Sequence, residues 1–528
     1  MDGPPAKRAR SAAAAAAAAF DGSVATVLGG DAPPAQGEGE RLLAEAEAAA
    51  AVAMAAGDGD GGGEEDTLLL DARALRRVVV SFEKRLNANV EARMRYADKP
   101  EKFMDSELAL DAEVRALGAL AASPELYPEF VRLGAVPTAV GLLAHENVDI
   151  ACGAVSLLAE LTDADAEDAD EDEDNEEAYV ALADAIIAAN GLELLISTLE
   201  RLDESQQQEA AGANGCLTCL ENLTSIDPKH AAAVCEGTRF VDWACKRVNA
   251  EGFDANKQYT SEVLAILMQS AEGAKAAVVA KGGTDAILRA IAPYKRKAPA
   301  GGDEEEHCQN LFDCLCCIVM GTEGKAAFVE AEGIELMCIV ARSKDAAPAA
   351  RVAAFRALDF ACTRYAPACK RLVDVRGLGT TFSAFMGKGA AAAHKQASKG
   401  KGKKRTEEDT EALSDERCVS LVASLATELE DTDRLDRVLA KFVEQEYEKL
   451  DRLFELLDSY LERYFAAERA LPAGLDEAEV RHHAGARPRA RVRVSCYLVR
   501  VGRAACAPAI PLQARVGTYL YTPSARCH

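Results

Sequence analysis

Stacked, repeating α-helices are what this sequence predicts, and three observations predict them. Apolar blocks led by a glycine recur along the middle of the chain, the length of 528 residues suits no single core, and aromatic residues supply only 5 % of it while hydrophobic ones, much of them alanine, supply 49 %. Alanine favours helix, whereas aromatic and β-branched residues favour strand, so the balance is poor for a β-sandwich. At roughly 150 residues per domain the length asks for three or four domains or for one elongated array. Sixty basic against 86 acidic residues leave a net charge of −26, which argues against a surface that coats nucleic acid nonspecifically.

The first element, residues 1–66, is a low-complexity leader with an alanine run, Pro4-Pro5, Pro33-Pro34 and a glycine-aspartate stretch. It offers too little apolar area to offset its ordering entropy, so it is expected to be disordered. Helical spacing begins near Leu68 in LLLDARALRRVVVSFEKRL, and 67–121 reads as N-terminal capping helices. No charge-free apolar stretch of about 18 residues is present beyond the alanine run, so no transmembrane span is predicted.

Residues 122–430 carry the repeats. The pattern returns after Gly134, Gly191, Gly237, Gly283, Gly333 and Gly377, at intervals of 57, 46, 46, 50 and 44 residues. A short helix precedes each glycine and two follow, the last one longest, and intervals near 40–47 residues are those of armadillo or HEAT arrays. The steep junction needs a residue that tolerates positive φ and offers no Cβ to its neighbour. A three-helix unit cannot enclose its own apolar face, so stacking supplies the core, and the expected result is a right-handed superhelical solenoid with third helices on the concave side. About six repeats are expected, with an acidic insertion at 163–177, which holds eleven acids and no base, and a basic linker at 388–410. Helices should resume at Asp415 and continue as an amphipathic C-terminal extension, 431–471, of coiled-coil character. The last segment, 472–528, has nine arginines and no lysine. It reads as a basic tail or, preferably, as an aberrant frame of a GC-rich gene, with no stable fold.

Several strings are longer and less regular than helical periodicity demands: Ser81–Arg85 (SFEKR), Pro100–Asp111 (PEKFMDSELALD), Leu199–Ser205 (LERLDES), Phe253–Leu267 (FDANKQYTSEVLAIL), Asn310–Cys316 (NLFDCLC) and, more weakly, Glu448–Leu456 (EKLDRLFEL). On these the chain resembles the beta-catenin-like protein 1 family of nuclear, spliceosome-associated armadillo proteins. The resemblance runs over about Leu68 to Leu471. It implies work in pre-mRNA splicing within the Nineteen Complex, and binding to the basic import segment of a Myb-type, cell-division-cycle-five-like partner. It also implies a nuclear location, and leaves self-association open. The family's fold continues with further C-terminal helices where this chain has its arginine-rich segment.

Lys7, Arg8 and Arg10 form a short basic cluster suited to nuclear import, and Lys399, Lys401, Lys403, Lys404 and Arg405 form a second. In the concave groove, registering the third helices places Ser156 and Glu160, Thr218 and Asn222, Glu262 and Ile266, and Asp313 and Cys317 at similar positions. From these, Glu160, Asn222, Glu262 and Asp313 are the candidate contacts for a basic peptide. The tryptophan-asparagine ladder of importin-type armadillo proteins does not recur. Cys216-x-x-Cys219 and His307-Cys308 lack a second spaced pair, so no metal or other cofactor is expected. Scattered histidines and the lack of a P-loop or GxSxG turn point away from catalysis. The competing readings are a nuclear import adaptor using the same groove and a catenin-type adhesion scaffold. Neither direct nucleic-acid nor membrane binding is expected.

Overall fold

The structure is a computed structural model that describes residues 71–164, 173–387 and 407–470. The expected leader, the tail 472–528 and both basic clusters lie outside the described residues. By contacts the chain divides into two compact units, Met1–Ala244 with Ile266–Ala277, and Cys245–Ala265 with Val278–His528. The described residues form helices joined by turns, with no strand among them.

The chain opens with α1 (Ala72–Arg95) and α2 (Met104–Leu117). The Asp71 carboxylate starts α1 by accepting the Ala74 N–H at 2.6 Å, a cap worth about 1 kcal/mol. From there helices recur in threes along the chain. The first repeat is α3 (Tyr127–Arg132), α4 (Ala135–Gly141) and α5 (Val148–Leu161). The second is α6 (Glu173–Ala188), α7 (Gly191–Arg201) and α8 (Gln207–Ile226). Next come α9 (Lys229–Gly237), α10 (Phe240–Val248) and α11 (Ala255–Ser270), then α12 (Glu272–Ala280), α13 (Gly283–Ile291) and α14 (Gly302–Ile318). The fifth repeat is α15 (Thr322–Glu330), α16 (Gly333–Arg342) and α17 (Pro348–Cys362), and the sixth α18 (Ala366–Asp374), α19 (Leu378–Phe385) and α20 (Glu407–Glu428). Two further helices, α21 (Thr432–Val443) and α22 (Glu448–Ala470), follow.

Two expected boundaries move. The acidic stretch 163–177 is not wholly an insertion, because α6 begins at Glu173 and buries Ala178, Tyr179, Leu182, Ala183 and Ile186. That apolar spacing belongs to a helix, and the helix extends back into the acids. The linker 388–410 likewise ends early, with α20 starting at Glu407 rather than Asp415. No glycine or proline interrupts EEDTEALSDERC, so nothing breaks the helix there.

The junction glycines also differ from expectation. Positive φ falls on the residue before the glycine, at Asn190 (64°), Gly282 (76°), Glu332 (57°) and Arg376 (61°). The following glycine then passes beneath the end of the first helix. A Cβ on Gly191, Gly283 or Gly377 would stand 2.7, 2.8 or 2.8 Å from the carbonyl oxygen of Ile186, Val278 or Leu372, and one on Gly333 would meet the Phe328 ring at 2.2 Å. The left-handed turn reverses the chain, and the next residue must then fit under a carbonyl. Gly134 alone among the six predicted junctions takes the left-handed conformation itself, at φ 74°. Gly237 does neither and simply closes α9.

Within the first unit, α5 lies between α2 and α8. The approach of α8 is close because Gly212 and Gly215 present no side chain. Added Cβ atoms there would fall 2.5 Å from Cys152 Sγ and 2.8 Å from Val155 Cγ1. Polar side chains tie one repeat to the last: Thr198 Oγ1 donates to Leu143 O (2.8 Å), and the Arg201 guanidinium donates to Leu143 O (2.9 Å) and His145 O (2.7 Å). These satisfy carbonyls left over at the end of the preceding middle helix.

The second unit repeats the device. Ser343 Oγ donates to Lys295 O at 2.7 Å, and within the fifth repeat the buried Lys325 donates its ammonium to Thr363 O at the end of α17. Small residues on α17, including Ala350, Ala353, Ala354, Ala357 and Ala361, are buried and let α14 and α20 pack on either side. His307 bridges α14 to α11, its Nδ1 2.9 Å from Ser261 Oγ. Burial and nearby Lys257 lower its pKa to about 4. Phe382, Phe385 and Phe442 form an edge-to-face cluster that seats α21.

Candidate peptide-binding groove

In the first unit a groove of about 820 Å³ is lined by residues of α2, α5 and α8. Helical spacing builds its walls, since residues three and four apart share a face. Along α2 these are Met104, Glu107, Leu108, Asp111 and Arg115, and along α5 Asp149, Cys152, Gly153, Ser156 and Glu160. Gln208, Ala211 and Gly212 of α8 complete the lining. Met104 and Leu108 are 54 % and 63 % exposed, large apolar surfaces lining the groove beside its carboxylates.

Four carboxylates, Glu107, Asp111, Asp149 and Glu160, line this space against one arginine, Arg115. They are not equivalent. Glu107 is paired with Arg93 and accepts the Asn147 amide at 3.0 Å, and Asp111 bonds Arg115 at 2.7 Å. Asp149 and Glu160 are exposed and have no ion-pair partner among the described residues. Gly118 makes room for Glu160, whose Oε2 lies 2.9 Å from where a Cβ would stand.

The position of Asp149 is set by a polar network at the start of α5. Asn147 caps that helix through Oδ1 to the Asp149 N–H (2.9 Å), and its own N–H donates to His145 Nδ1 at 3.0 Å. The other ring nitrogen, Nε2, lies 3.2 Å from Asn89 Oδ1 on α1, so the network assigns the proton to Nε2. Burial, helped by Arg93, holds the His145 pKa below its ordinary value, keeping Nδ1 an acceptor.

The sequence-predicted contacts fare differently. Glu160 lies in this groove. Asn222 is turned to structural use: its Nδ2 donates to Ala159 O (3.1 Å) and Thr162 Oγ1 (3.2 Å), fastening α8 to the end of α5. Glu262 and Asp313 belong to the second unit. There Glu262 accepts the Gln258 amide at 2.8 Å, and Asp313 is paired with Arg356 and held by Gln309 at 3.0 Å. Cys317, in register with Asp313 four residues on, is buried. Lys7, Arg8 and Arg10 lie outside the described residues.

Glu107 and Asp111 were missed because α2 looks like a cap in the sequence, although it serves as the first groove helix, and Asp149 because it lies in the first turn of α5, ahead of the registered positions 156 and 160. The signal was there in Glu107, Asp111 and Arg115, spaced by four on one helical face. Cys216 and Cys219 are buried, and burial raises the Cys219 pKa to about 12. Among the described residues no three His, Cys, Asp or Glu side chains converge on one point.

Helices in repeated threes, with a left-handed turn between the first and second and a groove on the third, define an armadillo-repeat protein. The family model described as catenin-beta-like, Arm-motif containing nuclear, matches residues 54–487, and the chain belongs to that family. It is 36 % identical to rat beta-catenin-like protein 1 over 395 residues, 74 % of this chain and 66 % of the relative. It is 36 % identical to the beta-catenin-like protein 1 homolog of Schizosaccharomyces pombe over 400 residues, 75 % of this chain and 65 % of that one. The chain thus spans just under two thirds of these relatives' length. Among solved structures, an engineered protein aligns over 89 % of this chain and 97 % of its own at TM-score 0.49 and 16 % identity, a likeness too loose to argue from.

Proposed function

We propose that this chain is a non-catalytic nuclear scaffold acting in pre-mRNA splicing, as a component of a spliceosome-associated complex, and that its first-unit groove docks basic segments of partner proteins. The observation that carries the docking is the pairing of exposed Asp149 and Glu160, both without ion partners among the described residues, with exposed Met104 and Leu108 on the facing helix. Unpaired carboxylates attract lysine and arginine, and like charge repels acidic competitors. Family membership supports the splicing context. The partner we propose is the Nineteen Complex through its Myb-type, cell-division-cycle-five-like member.

The test combines two variants, Asp149→Lys and Glu160→Lys, in the full chain. Affinity purification from nuclear extract with the wild-type chain should recover splicing-complex proteins, and the double variant should lose those whose basic segments dock directly. Equal recovery by both would remove the groove from the account. Lys7→Ala, Arg8→Ala and Arg10→Ala in a fluorescent fusion should shift signal toward the cytoplasm, and an unchanged nuclear signal would assign import to the 399–405 cluster or to a partner.

A further inference from the structure

We propose that the chain's own basic cluster, Lys7-Arg8-Ala9-Arg10, docks in the groove between α2 and α5, so that it competes with basic partner segments for one site. The inference rests on the groove reading above and adds its regulation. Charge complementarity carries it first. Asp149 and Glu160 have no ion-pair partner among the described residues, while Glu107 and Asp111 are already paired. In a chain of net charge −26, the first ten residues hold Lys7, Arg8 and Arg10 against the single acid Asp2.

Spacing carries it further. Asp149 and Glu160 stand eleven residues apart on α5, about 16 Å along a helix axis. Lys7 to Arg10 spans about 10 Å of extended backbone, and two long basic side chains pointing outward cover the remainder. Reach is ample as well: residues 11–70 can span up to about 200 Å, against about 36 Å for the whole of α1, at whose cap the described chain begins. A ligand on the same chain meets its site at an effective concentration in the millimolar range, so a weak contact suffices to compete.

The consequence is a coupling between docking and import. With the cluster seated in the groove it is withheld from an import receptor, and a partner segment that takes the groove releases it.

The experiment measures binding of a fluorescein-labelled decapeptide with five lysines and arginines and two leucines to the full chain, by anisotropy. Lys7→Ala, Arg8→Ala and Arg10→Ala together should tighten binding about three- to tenfold. Adding Glu160→Lys should abolish both the binding and the difference. Peptide binding that is sensitive to Glu160→Lys but unchanged by the triple variant overturns the self-docking and leaves the groove reading standing. No binding in any background overturns both. Carbodiimide coupling, which condenses an amine and a carboxylate with loss of water, gives a second readout. Lys7 should couple to Asp149 or Glu160 within one chain. Coupling found only between isotopically labelled and unlabelled chains contradicts docking in cis.

Discussion

Replacing Gly283 by alanine separates the two jobs at a repeat junction. Its neighbour Gly282 holds φ 76° but has nothing within 4 Å of the point where a Cβ would stand, whereas a Cβ on Gly283 would lie 2.4 Å from Val278 Cγ1 and 2.8 Å from Val278 O. Gly282→Ala therefore costs only left-handed strain, about 1 kcal/mol. Gly283→Ala forces a backbone carbonyl aside, and overpacking of this kind costs about 1–3 kcal/mol or more. The carbonyl cannot swing away as a flexible side chain would, so the upper half of that range applies. Repeat proteins need not unfold in one step, so the assay is native-state hydrogen exchange read on peptides covering 278–291. Opening there should become easier by about 2–3 kcal/mol in Gly283→Ala and by about 1 kcal/mol in Gly282→Ala, and the melting point should fall by several degrees. Equal effects, or a larger one at Gly282, would refute the close-approach account of the junction.

Other predictions concern the polar ties and the buried histidine. Asn222→Ala removes two donors that fasten α8 to α5, leaving Ala159 O without that partner, and should destabilise the first unit by about 1–3 kcal/mol; urea denaturation followed by the single Trp243 checks it. Glu332→Gly relieves a left-handed non-glycine residue at φ 57° and should stabilise by about 0.5–1 kcal/mol, seen as slower exchange in 333–342. His307 has its pKa lowered in the fold to about 4, from an ordinary value of 6.5, so the folded state binds this proton less readily than the unfolded chain. Its contribution is complete above pH 6.5 and is lost as pH falls toward 4, on the order of 3 kcal/mol in total. His307→Gln should flatten the fall in melting temperature between pH 6.5 and 4.5, and an identical fall in both proteins would contradict the assignment.

The repeat was legible because helical periodicity and its period survive in sequence, so most helices from α3 to α20 could be counted from the apolar pattern, while α6 was hidden by the acids at its start. The junction chemistry was only half legible. Glycine announced itself at 191, 283, 333 and 377, but whether φ or the missing Cβ demanded it depends on where the first helix ends. Asn190, Glu332 and Arg376 carry the left-handed turn without resembling one another. In the groove, Glu160 was readable from helical register, as was the composition of its face. Asn222 was misread because an amide has donors for either a peptide or a neighbouring helix, and only the proximity of Ala159 and Thr162 decides between them. Asp313 looked available for the same reason, and Arg356, 43 residues away in the chain, occupies it. Glu107 and Asp111 were hidden by treating α2 as a cap, when its packing against α5 makes it a groove wall.

The groove as a docking site for basic segments is tested most directly by hydrogen exchange of the full chain with and without the basic decapeptide. Bound peptide should slow exchange only at 104–118, 147–160 and 207–212. Protection elsewhere, with those three stretches unchanged, would contradict it.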